Sequence, residues 1–163
     1  MCGYTRALSP TAKPGGRLLF VGSLAGTQPL PFCAAYSAAN YGIETLAGSL
    51  RVELSVQGIM VSVIAPGSTR TAIAAKIGPV TPLEGMDSEF APAIARMAQR
   101  MGCEGQRAFA AEKVGQIIER AANDARPKAR YVVTPGYISN WLAPRLLGCA
   151  WQEARWRRRP AGK

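Results

Sequence analysis

The chain contains no histidine. That excludes the Ser-His and Cys-His nucleophiles and most zinc sites, because imidazole is the base or ligand they depend on. The four cysteines, Cys2, Cys33, Cys103 and Cys149, stand far apart, with no pair at metal-ligand spacing, so no metal site is expected. Scattered cysteines in a chain of 163 residues read as buried or idle thiols of a reducing compartment, and the expected location is cytoplasmic. No signal peptide is visible in these residues, and no run of about 18 apolar residues could span a bilayer. Glycine-rich phosphate loops are missing too: neither GxGxxG nor GxxxGxG occurs, so these residues cradle no pyrophosphate. Acidic residues are scarce, 10 against 20 Lys and Arg, for a net charge of +10. Arg155, Arg157, Arg158, Arg159 and Lys163 crowd the C-terminal end. Such an end is either a solvated tail or a device for anionic surfaces. Nucleic acid is not an expected partner, since no aromatic stacking platform of the single-strand-binding kind is evident.

What is present suits one α/β domain with a sizeable core. CGYTRALSP, within residues 1–13, reads as the later turns of a helix broken at Pro10. Pro14-Gly15-Gly16 is a turn. Leu18 to Val21 is a continuous apolar run, as in a strand covered on both faces. Pro29 and Pro31 exclude a helix from the loop that follows. From Tyr36 the apolar positions Ala39, Ile43, Leu46, Ala47, Leu50 and Leu54 recur at helical spacing, and Gly58 fits the position just past the helix end. Ile59 to Ile64 is a second buried strand, stopped by Pro66-Gly67. Strand, helix and strand with short connections imply a right-handed parallel crossover.

Residues 68–103 carry no clear strand. TAIAAKI has short-helix character, GPVTPLEGMDS is loop, and SEFAPAIARMAQRM looks helical but interrupted by Pro92. A segment like this beyond a strand end is either a lid or a surface insertion. Residues 104–125 read as a third helix, with Val114, Ile117, Ile118 and Ala121 on one face and Pro127 beyond its end. Tyr131 to Val133 is a third strand. Residues 135–163 are helix-prone, interrupted by Pro144 and Gly148, with Trp141, Trp151 and Trp156 among arginines. This end is either an amphipathic helix lying on its own sheet or a surface for a membrane interface or a partner.

The chemistry gathers around Ser23 and Tyr36. A tyrosine at a helix N-terminus lies near the positive end of the dipole, which favours the phenolate. It can move a proton to or from a carbonyl or alcohol oxygen. A serine at the neighbouring strand end can hold the same oxygen. Two hydroxyls at this spacing do not define a site alone, since core tyrosines and turn serines are common.

The surrounding words add to this. GRLLFVGSLAG, AAYSAAN and LRVELSVQGIMVSVIAPGSTRT, in that order, closely resemble the C-terminal half of the short-chain dehydrogenase/reductase family. The resemblance extends through RPKARYVV and is nearest to members acting on retinoids, steroids and similar lipophilic alcohols. It implies a partial Rossmann-like parallel sheet of the last three strands and their helices, over residues 1–134, with the N-terminal half of the fold missing. It implies hydride transfer between NAD or NADP and an alcohol or ketone. By the same resemblance Ser23 orients the substrate and Tyr36 is the acid/base, also touching the cofactor. Pro66, Gly67, Thr69 and Thr71 hold the nicotinamide amide.

Asn40 stands where the family has a lysine that binds the nicotinamide ribose and lowers the tyrosine pKa. Asparagine keeps the option of a ribose hydrogen bond but carries no charge, which leaves Tyr36 mostly protonated and turnover severely reduced. A strand robbed of its neighbour invites pairing with another chain, so self-association is expected. The alternative reading is a non-catalytic interaction or membrane-surface protein that retains the scaffold.

Overall fold

The computed structural model describes residues 15–70 and 89–157. Along the chain run β1 (Arg17–Val21), α1 (Ala34–Glu53), β2 (Met60–Pro66), β3 (Thr69–Arg70), α2 (Ala91–Gln106), β4 (Phe109–Ala110), α3 (Ala111–Asn123), β5 (Arg130–Val133) and α4 (Ala143–Arg157). The sheet is parallel, in the order β1-β2-β5. Its register sets Leu18 against Val61, Phe20 against Val63, and Ile64 against Tyr131. β3 and β4 form a separate two-stranded parallel pair.

The burial pattern follows from this order. β2 is central, and Val61 to Ala65 are all buried, as a continuous apolar run requires. On one face α1 lays Ala47 and Leu50, with Leu54 just beyond its end, against Val61 and Val63. On the other, Val114, Ile117, Ile118 and Ala121 of α3 cover Ile64, Tyr131 and Val133. α3 and the C-terminal part of α1 thus use the apolar stripes expected of them. In the first turns of α1, however, the expected Ala39 is exposed and Ser37 and Asn40 are buried instead, where the Ser23 turn packs. β1 differs: it pairs on one side only among the described residues, and Val21 is 55% exposed. This is the open edge the sequence predicts. Past α1 a tight turn, Leu54–Gln57, ends at Gly58 with φ +68, a left-handed conformation that suits glycine.

Three boundaries differ from the sequence reading, for identifiable reasons. Pro92 does not interrupt a helix. It lies in the first turn of α2, where a missing N–H costs nothing and the ring presets φ. α2 therefore runs on to Gln106, and the next helix begins at Ala111 rather than 104, after the short β4. Pro144 likewise sits at the start of α4, while Gly148 (φ 76, ψ 179) does break the helical path. The predicted segments at 1–13 and 71–88, including TAIAAKI and half of the proposed lid, lie outside the described residues. Among the described residues no helix is long and apolar enough to cross a membrane.

Candidate active site

Parallel strands deliver their ends to one rim, where open α/β sheets place ligands. β1 leaves the sheet through Gly22, whose N–H still donates to the Ile64 carbonyl at 2.9 Å. Ser23 follows in an extended conformation and caps a single tight turn, Leu24–Gly26: its Oγ accepts from the Ala25 N–H at 3.2 Å. The hydroxyl retains its own proton for donation.

Gly26 explains how this turn meets α1. A Cβ there would lie 2.7 Å from the Asn40 carbonyl oxygen and 3.0 Å from its carbon. The turn backbone rests directly on the helix backbone, and only glycine permits that approach. Gly26→Ala is expected to cost about 1–3 kcal/mol, because the obstacle is main chain and cannot rotate aside. Urea denaturation checks this, and an unchanged midpoint would contradict the docking of turn on helix.

Tyr36 stands in the first turn of α1, 54% exposed. The loop before it is tied back by Ser37, whose Oγ accepts from the Leu30 N–H at 3.2 Å. Asn40 is 7% exposed. Its Nδ2 donates to the Tyr36 carbonyl at 2.9 Å, and its Oδ1 lies 3.7 Å from where a Gly22 Cβ would sit. One of the two amide N–H donors is therefore engaged within the helix, which leaves the other N–H and the side-chain oxygen for a ribose contact.

β2 exits through Pro66 and Gly67. The Gly67 N–H donates to the Val133 carbonyl at 2.9 Å. A Cβ on Gly67 would lie 2.7 Å from Thr134 Oγ1 and 3.0 Å from Leu24 Cδ1. The exits of β1, β2 and β5 thus meet at this one glycine. Thr69 follows, its Oγ1 donating to the Gly67 carbonyl at 3.2 Å. Thr71 lies outside the described residues. Ser23, Pro66, Gly67 and Thr69 accordingly share the rim. Tyr36 and Asn40 sit on the helix to which the Ser23 turn is docked.

Sequence reasoning missed three contributors. Thr134 closes the rim from β5. Gln28 Nε2 donates to the Asn140 carbonyl at 2.7 Å, joining the loop after β1 to the turn after β5. Glu44, one turn beyond Asn40, holds Arg130 through both carboxylate oxygens. Beside that pair Arg51 donates to the Val61 carbonyl at 2.9 Å and the Ala129 carbonyl at 3.0 Å. Burial, and then the neighbouring Arg130 cation, lower the Arg51 pKa below its ordinary value, while Glu44 opposes that shift. No local pattern announces these contacts, which join residues far apart in the chain.

The family model described as short chain dehydrogenase matches residues 2–81, the stretch that holds Ser23, Tyr36, Asn40 and the β2 exit. The chain is 31% identical over 136 residues to an NADPH-dependent 3-dehydrocapnine reductase of Ornithobacterium rhinotracheale, a match covering 78% of this chain and 44% of that one. It is 30% identical over 128 residues to 17-beta-hydroxysteroid dehydrogenase type 1 of Mus musculus, covering 77% of this chain and 37% of that one. It also superimposes on a short-chain dehydrogenase from Streptomyces avermitilis with TM-score 0.64 at 25% identity, over 93% of this chain and 54% of that one. The chain spans less than half the length of these curated relatives.

Proposed function

We propose that this chain, which belongs to the short-chain dehydrogenase/reductase family, is the substrate- and nicotinamide-binding half of an NAD(P)-dependent oxidoreductase that interconverts an alcohol and a ketone. The observation that carries this reading is the meeting of three strand exits at Gly67, with the Ser23 turn docked on α1 at Asn40. In it Tyr36 moves the proton at the substrate oxygen, and Ser23 holds that oxygen by a hydrogen bond. Pro66, Gly67 and Thr69, with Thr71 beyond them, hold the nicotinamide amide. The bound cofactor supplies or accepts the hydride.

The residues fit the nicotinamide end of such a cofactor. Tyr36 is open to a ligand, and the Thr69 hydroxyl keeps an acceptor lone pair beyond its bond to Gly67. Ribose contact falls to the second N–H and the side-chain oxygen of Asn40, and the charge beside Tyr36 is absent. Turnover is therefore impaired. No glycine-rich loop in these residues takes the pyrophosphate. The relative named for NADPH supports NAD(P) as the cofactor class, and the relative named for a hydroxysteroid supports a lipophilic substrate. Titration with NADPH and NADH tests the reading. Saturable binding at millimolar cofactor that Tyr36→Phe weakens supports it, and no binding opposes it.

The exposed edge of β1, with Val21 uncovered, makes self-association part of the same proposal. Size-exclusion chromatography should show a dimer or larger species. A stable monomer would contradict it.

A second reading has one observation in its favour. Ile138, Leu146 and Leu147 are exposed together with Arg145, the mixture of apolar and basic residues that suits a membrane surface or a partner. Liposome binding abolished by deleting residues 150–163, in a chain that binds no cofactor, would favour this non-catalytic role.

A further inference from the structure

We propose that the groove along the outer edge of β5 binds a small aromatic phosphate. This site is separate from the rim described above and does not depend on the oxidoreductase reading. β5 pairs only with β2 among the described residues, and an open groove of about 320 Å³ follows its free side. That volume lies at the small end of the range for ligand sites.

Its lining is cationic. Arg120, Lys128, Arg130 and Arg145 contribute, and no carboxylate lines it among the described residues. Arg130 is neutralised by Glu44. No ion pair engages the other three among the described residues. Three uncompensated cations around one concavity favour a ligand of high negative charge density, and arginine forks match phosphate geometry. Part of the wall is aromatic. The Tyr137 and Trp141 rings lie 5.0 Å apart, and the Arg145 guanidinium sits 5.6 Å from the centre of the Trp141 ring. A planar ring laid on that wall gains contact area and dispersion.

The groups are held in place before any ligand arrives. The Lys128 N–H donates to the Tyr131 hydroxyl at 3.0 Å, and the Lys128 carbonyl accepts from Ser62 Oγ at 2.8 Å. The residue before Arg145, Pro144, is buried, and its carbonyl accepts from Gln152 Nε2 at 2.9 Å. Fixed backbone under both cations reduces the ordering cost of binding. A second copy of the chain paired along this edge would bring like charges together, which favours the anionic small molecule over that occupant.

Calorimetric titration of the chain with AMP, ribose 5-phosphate and inorganic phosphate tests this. AMP should bind saturably at millimolar concentration or below, and more tightly than either ringless phosphate. The double variant Arg120→Gln/Lys128→Gln should weaken AMP by about tenfold or more, since each cation gives charge-assisted hydrogen bonds. Arg145→Gln, an independent surface change, decides the matter if the double variant fails to fold. Tyr36→Phe should leave AMP affinity unchanged, which separates the groove from the rim. The proposal is overturned if AMP does not saturate, if ringless phosphate binds equally well, if affinity survives the substitutions, or if Tyr36→Phe weakens it.

Discussion

Replacing Asn40 with lysine is expected to raise alcohol oxidation by about ten- to a thousandfold, in a protein that joins this chain behind the N-terminal half of the Streptomyces avermitilis relative. Asn40 lies one helical turn after Tyr36, on the same side of α1. Its side chain is turned back onto the Tyr36 carbonyl and brings no charge to the phenol. A cation at that distance favours phenolate over phenol by the factor given, and the faster proton step follows. The longer lysine side chain can also extend past Gly22 toward the rim, where the Asn40 carbonyl oxygen already points. Steady-state alcohol oxidation with oxidised NADP or NAD measures the gain, because phenolate is the form that takes the alcohol proton. Ultraviolet difference titration of the chain alone gives a second readout, with Tyr36→Phe as the blank. A lysine variant that is no faster, with no change in the tyrosine titration, would contradict the assigned role of position 40.

Glu44→Gln is expected to lower stability by about 2–3 kcal/mol, near the low end for breaking a buried ion pair because Arg130 is only partly covered. The Arg130 side chain is 25% exposed and that of Glu44 11%. Without the carboxylate, Arg130 and Arg51 remain as adjacent cations. The sign at Arg51 is clear: burial and Arg130 already disfavour its charged form, and Glu44 is the influence that opposes them. Removing Glu44 therefore makes the Arg51 charge more costly in the folded state. Glu44 also lies against the Gly26 approach, with its Cγ 3.1 Å from the position of a Gly26 Cβ. Its loss should loosen the docking of the Ser23 turn as well as the link from α1 to β5. An unchanged urea midpoint would contradict this.

The parts of the fold that were legible are those set by local periodicity. Leu18 to Val21 and Ile59 to Ile64 both read as strands from their apolar runs; the second is buried between helices as read, whereas β1 is only partly covered, with Val21 exposed at the open edge. The α1 stripe read correctly from Ile43 to Leu54 for the same reason, as did Val114 to Ala121, but its first predicted member, Ala39, is exposed. Pro92 misled because one residue has opposite meanings at the start and in the middle of a helix, and only the chain preceding it decides which applies. At the site, Ser23 and Tyr36 could be picked out only through the words around them. Asparagine within an amphipathic pattern gives no sign of burial; Asn40 is buried because glycines at 22 and 26 let another segment lie on it. The Glu44–Arg130 pair spans 86 positions, and no sequence pattern links its partners.

The central claim is that the strand exits and the first turns of α1 form a nicotinamide site. Dihydronicotinamide riboside tests it most directly, since this fragment needs no phosphate loop and carries no phosphate for the β5 groove. Amide chemical-shift mapping of the chain during that titration should show saturable changes at Ser23, Tyr36, Asn40, Gly67 and Thr69. Changes confined to other surfaces, or none at millimolar riboside, would contradict the account.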